Sequence, residues 1–143
     1  MDEANLMILL VEDNPKDVEL TLHALKKNNL ANQVHVARDG QEALDFFFGP
    51  PERAGALSPK LILLDLKLPK VSGLDVLRRL KRDPKTRHIP VVVMTSSTTE
   101  RDLVDSYALG VNSYLRKPID FAQFIECAKT IGLYWLLMNR IPG

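Results

Sequence analysis

Five short apolar runs, at residues 6–11, 33–37, 61–64, 91–94 and 113–115, alternate with segments of helical spacing. This alternation constrains the chain more than any other feature. Three of the runs are almost wholly aliphatic, as strands are when a parallel sheet is covered on both faces. The intervening segments carry helix signals. Asn14 can cap a helix with Pro15 at its first position and Asp17 in its first turn. Gly110 follows Leu109 as a stop, and Asp120 precedes Phe121, Phe124, Ile125 and Ala128 at helical intervals. Five βα units in succession predict an α/β fold with an open, doubly wound parallel sheet and right-handed crossovers.

At 143 residues, 45% hydrophobic and 26% charged, the chain is expected to be one globular domain over 1–143. Two segments exceed a minimal βα plan. Residues 49–59 are rich in proline and glycine and read as an extended loop. Around residues 131–138 the end of the last helix is apolar on every side, through Tyr134, Trp135, Leu136 and Leu137, which predicts a further packing partner. Neither surplus is large enough to be a second domain. The formal net charge of +1 excludes an overall field that would attract nucleic acid or an anionic membrane. A single cysteine, Cys127, excludes an intramolecular disulfide and a multi-thiolate zinc site. No run approaches the length of a membrane span, and the acidic start lacks an export signal, so a soluble cytoplasmic protein is expected.

Ligands of such sheets bind beyond the carboxyl ends of the strands. Those ends carry Glu12 and Asp13, then Asp65, then Thr95 and Ser96, then Lys117 and Pro118. Three carboxylates gathered at one edge repel unless a hard cation neutralises them, and all-oxygen ligation favours Mg²⁺. Asp65 could then act as a nucleophile toward phosphorus, with Thr95 donating a hydroxyl hydrogen bond and Lys117 a point charge. Each residue also has a plainer reading. Glu12 and Asp13 fit a solvated turn, Asp65 a turn aspartate, Thr95 the satisfaction of a strand end, and Lys117 a surface lysine.

The segments LLVEDNP (9–15), LILLDLKLPKVSG (61–73), IPVVVMTSS (89–97) and SYLRKP (113–118) resemble the receiver domains of two-component response regulators. They lie in the family's order, each at an expected strand end. The resemblance implies a flavodoxin-like sheet with strand order 2-1-3-4-5. It implies that Asp65 accepts a phosphoryl group from a sensor histidine kinase. Glu12, Asp13, Asp65 and the backbone carbonyl of Lys67 would bind Mg²⁺, with Mn²⁺ able to substitute. Thr95 and Tyr114 would be the switch residues, and a Tyr114 simply half-buried in a strand fits equally well. The segment DSYALGVNSYLRKP, the proline-containing loop and the aromatic end GLYWLLM are similar to single-domain regulators of bacterial phytochrome kinases. That narrower likeness implies a homodimer through the C-terminal helix region. Output would then pass by protein docking or onward phosphotransfer.

Rival functions fit less well. A phosphatase using an aspartyl phosphate needs a second acid two residues after the nucleophile, where this chain has Lys67. A flavin phosphate would want donors after the first strand, where Glu12 and Asp13 stand. A receiver-like docking module that takes no phosphate would not require the full set of site residues. His23, His35 and His88 lack metal-ligand spacing, and Cys127 fits helix packing. The cluster Arg78, Arg79, Lys81, Arg82, Lys85 and Arg87 is expected to be a solvated helix face rather than a nucleic-acid surface, because Asp83 interrupts it and no aromatics interleave.

Overall fold

The structure, a computed structural model, describes residues 7–27, 33–50, 59–95, 110, 113–117 and 122. Within them the chain forms β1 (Met7–Val11), α1 (Pro15–Lys27), β2 (Gln33–Ala37), α2 (Gly40–Phe48), β3 (Leu61–Leu64), α3 (Gly73–Arg82), β4 (Val91–Thr95) and β5 (Ser113–Arg116). The strands make one sheet in the order β2-β1-β3-β4-β5, and every pair is parallel. This is the expected doubly wound arrangement. β4 and β5 each run one residue past the apolar run that marks them, because Thr95 pairs with Arg116. Backbone pairing, not side-chain polarity, ends a ladder.

Every residue of β1 and β3 is buried, so alternate side chains fill opposite faces of the sheet. On one face Met7, Leu9, Val11, Ile62, Leu64, Val91 and Val93 form a core with Ala43 and Phe46 of α2 and Val76, Leu77 and Leu80 of α3. The other face, with Ile8, Leu10, Leu61, Leu63 and Val92, is equally dry. Helix α1 buries Val18, Thr21 and Leu25 along one stripe. Each such aliphatic side chain contributes about 1.5–3 kcal/mol by leaving water.

Side-chain caps start all three described helices at the carboxyl edge of the sheet. Asn14 Oδ1 accepts from Lys16 N at 2.9 Å, Asp39 Oδ1 from Glu42 N at 2.7 Å, and Ser72 Oγ from Asp75 N at 3.1 Å. Each cap satisfies a backbone donor that the helix itself cannot. The helix amino ends therefore face the edge where the strands run out.

The basic cluster is only partly the solvated face expected of it. Arg78, Arg82, Lys85 and Arg87 are exposed, but Arg79 lies 3.7 Å from the centroid of the Phe48 ring. Lys81 turns inward and donates to the carbonyls of Arg87 at 3.2 Å and Ile89 at 3.3 Å. His23, His35 and His88 are exposed, and the His35 ring lies tilted by 47° against Phe46 with the ring centroids 4.9 Å apart. No helix among the described residues is long and apolar enough to cross a membrane. Most of the 49–59 loop, Ser96, Pro118, Cys127, all but Ala122 of the segment expected to be helical after Asp120 and the apolar residues Tyr134, Trp135, Leu136 and Leu137 lie outside the described residues.

Candidate metal centre

The parallel ladders continue one residue beyond β1 and β3. Glu12 N donates to Ala37 O at 2.9 Å, and Asp65 N donates to Val11 O at 3.0 Å. Since Val11 pairs with Leu64, this continuation places the Glu12 and Asp65 backbones side by side. Both residues are buried, at 1% and 5% exposure, and Asp13 beside them is exposed. One carboxylate oxygen from each of Glu12, Asp13 and Asp65 lies within 4.8 Å of the others. The oxygen-only donor set, closed at the back by Glu12 and Asp65 and open at Asp13, fits a hard divalent cation.

Two backbone amides hold these carboxylates. Asn14 N donates to Glu12 Oε2 at 3.1 Å, and Lys67 N donates to Asp65 Oδ1 at 3.0 Å. The loop after Asp65 is packed without spare room. Gly73 N donates to Leu66 O at 2.8 Å, and a Cβ on Gly73 would sit 2.3 Å from Asp65 O. Lys70 takes a left-handed φ of 67°, which turns the loop toward α3.

Lys117 reaches this group from the end of β5, two strands away from β3. Its Nζ donates to Asp65 Oδ2 at 2.9 Å, to Asp17 Oδ2 at 3.0 Å and to Glu12 Oε1. A lysine ammonium has three donors, and all three end on carboxylates. The side chain of Lys117 is only 12% exposed. Burial alone would favour its neutral form, but Glu12, Asp65 and Asp17 hold its pKa above the ordinary lysine value. Burial, with the Asp65 charge adding to it, pushes Glu12 up to about 7 against the opposing pull of Lys117 and the Asn14 amide. The site thus favours the charged ammonium on Lys117 and raises the proton affinity of Glu12.

Glu12, Asp13, Asp65 and Lys117 come together as their positions in the sequence imply. Asp17 joins them without having been singled out for the site. As a first-turn acid it reads as a helix-dipole partner, and its contact with Lys117 spans 100 positions. The one available signal is its place one turn into the helix that starts beside Glu12 and Asp13. Thr95 ends β4 on the same edge, and Tyr114 pairs with Val93 in β5; the side chains of both lie outside the described residues.

Residues 8–129 match the family described as the response regulator receiver domain. The chain is 43% identical over 141 residues to the probable methanogenesis regulatory protein FilR2 of Methanothrix harundinacea, covering 99% of this chain and 90% of that protein. It is 38% identical over 144 residues to the response regulator Rcp1 of Synechocystis, covering 99% and 98%. The Mn²⁺-bound form of Rcp1 superposes with a TM-score of 0.77 over 96% of this chain and 99% of that one. The bacteriophytochrome response regulator AtBRR is 54% identical, with a TM-score of 0.81 over 94% of this chain and 98% of that one. A matched family model, the similarity to solved structures and an acidic strand-end cluster agree: this chain belongs to the response regulator receiver domain family and has close relatives among the phytochrome-type regulators.

Proposed function

We propose that this chain accepts a phosphoryl group on Asp65 from a sensor histidine kinase, with Mg²⁺ held by Glu12, Asp13, Asp65 and the backbone carbonyl of Lys67. The observation that carries this reading is the convergence of Lys117 Nζ and the carboxylates of Glu12 and Asp13 on one buried aspartate, Asp65. A bound divalent cation would neutralise phosphoryl oxygens as charge builds on them. Every other part belongs to the chain. An Asp65 oxygen forms the bond to phosphorus while the bond from phosphorus to the donor imidazole breaks, and the electron pair leaves with the imidazole nitrogen. Lys117 Nζ transfers its donor from Asp65 to a phosphoryl oxygen. Thr95, at the end of β4, would donate to the same group, and Tyr114 would follow in the neighbouring strand. The chain then signals by altered protein contacts or by passing the phosphoryl group on.

The identities with Rcp1 and AtBRR favour a phytochrome-type kinase as the donor. A homodimer through Tyr134, Trp135, Leu136 and Leu137 is part of the same reading; sedimentation that stays monomeric at high concentration, with and without a phosphoryl mimic, removes it. For the acceptor, a small acyl phosphate with Mg²⁺ should label the native chain and leave Asp65→Asn unlabelled. Equal labelling of both would exclude Asp65.

A further inference from the structure

The three donors of Lys117 are shared among carboxylates with unlike prospects. Asp65 is the proposed acceptor, and once phosphorylated its carboxyl group no longer carries a full charge to hold an ammonium. Glu12 is a proposed metal ligand, and a divalent cation on its carboxylate competes with Lys117 and repels it. Asp17 has neither task. It stands on the first turn of α1, with its side chain 33% exposed and its Oδ2 3.0 Å from Lys117 Nζ. The cap at Asn14 fixes that turn, because Asn14 Oδ1 accepts from Asp17 N at 3.3 Å as well as from Lys16 N.

We propose that Asp17 is a positioning residue for phosphoryl transfer, anchoring the Lys117 ammonium beside Asp65 when its other two carboxylate partners are engaged. This rests on the reading of Asp65 as the acceptor. A lysine stem has four rotatable bonds, so one fixed anion removes much of the search for the phosphoryl oxygen. In transfer from a small acyl phosphate, the bond between phosphorus and the acyl oxygen breaks, the carboxylate leaves with the electron pair, and the Asp65 oxygen bonds to phosphorus. Asp17 takes no part in either bond and acts through Lys117.

The test pairs Asp17→Asn with Lys117→Met in a double-mutant cycle, using acetyl phosphate as donor. With the full chain, Asp17→Asn should slow labelling about threefold to tenfold, the range of a coupled charged contact. Asp17→Glu should restore part of the rate. In the Lys117→Met background, Asp17→Asn should change nothing further. The same cycle on the cation-free protein, read by melting temperature, should show coupling between the two positions. Equal slowing by Asp17→Asn with and without Lys117 would overturn the proposal and leave Asp17 as a helix-start acid. A tenfold loss of Mn²⁺ affinity in Asp17→Asn, with an unchanged rate at saturating metal, would overturn it in favour of a purely electrostatic role. Failure of the native chain to label at all would instead strike the acceptor reading.

Discussion

Lys117 and Lys81 are both half-buried lysines, yet their surroundings push their proton affinities in opposite directions. Lys81 gives its donors to two neutral carbonyls, so desolvation lowers its pKa. Lys117 undergoes the same desolvation, but three carboxylates more than reverse it. Burial by itself does not decide the state of a buried cation; the charge of its partners does. Lys81 closes a structural joint between α3 and the start of β4, where its long stem matters as much as its charge. Lys117 is the counter-ion of a site.

The same substitution at both positions gives the sharpest contrast. Lys117→Met leaves Glu12, Asp17 and Asp65 facing one another and should cost about 3 kcal/mol at pH 8, the order expected when one partner of a buried ion pair is removed. Lys81→Met keeps the stem and loses only bonds to carbonyls, so about 1 kcal/mol or less is expected. Urea denaturation of the two variants measures both, and equal losses would break the comparison.

A weaker effect tests the proton on Glu12. Its pKa is raised from 4.5 to about 7, so in the cation-free protein its contribution to stability is full below 4.5 and is lost as pH rises through about 7. A divalent cation requires the carboxylate, which reverses the sign. The gain in melting temperature on adding Mg²⁺ should therefore grow as pH rises through about 7, and a gain independent of pH would exclude Glu12 as a ligand. The smallest effect belongs to α3. Arg79→Gln loses the contact with the Phe48 ring, worth about 0.5–1 kcal/mol at a partly exposed site, together with a partly exposed ion pair to Asp83 at 3.1 Å that adds little. It should leave phosphoryl labelling unchanged.

β1, β3 and β4 were legible because almost wholly aliphatic runs of four or five residues fit little except the middle of a covered parallel sheet. The carboxylates were legible because they follow such runs directly, so strand direction alone delivers them to one edge. Asp17 was not, since its role depends on a lysine at the far end of the chain, and no local spacing encodes that meeting. The inward turn of Lys81 was hidden for a related reason. Helical periodicity assigns a face, but a four-carbon stem can cross from one face to another environment. Of Thr95 and Tyr114 only the backbone is described, Thr95 at the end of β4 and Tyr114 opposite Val93 in β5.

The loop from Asp65 to Gly73 has one further property. At its far end Gly73 touches the Asp65 carbonyl so closely that no Cβ fits between them. In its middle, Val71 O lies 2.0 Å from where a Cβ on Gly40 would stand, and Gly40 N donates to Pro69 O at 3.4 Å. Lys70 ties the same stretch to Asp39, the cap of α2, at 3.4 Å. Backbone contacts and one ion pair thus brace this loop against the starts of α2 and α3. A side chain at Gly73 would therefore push on the backbone of Asp65 itself, and one at Gly40 would push on the loop that leaves it.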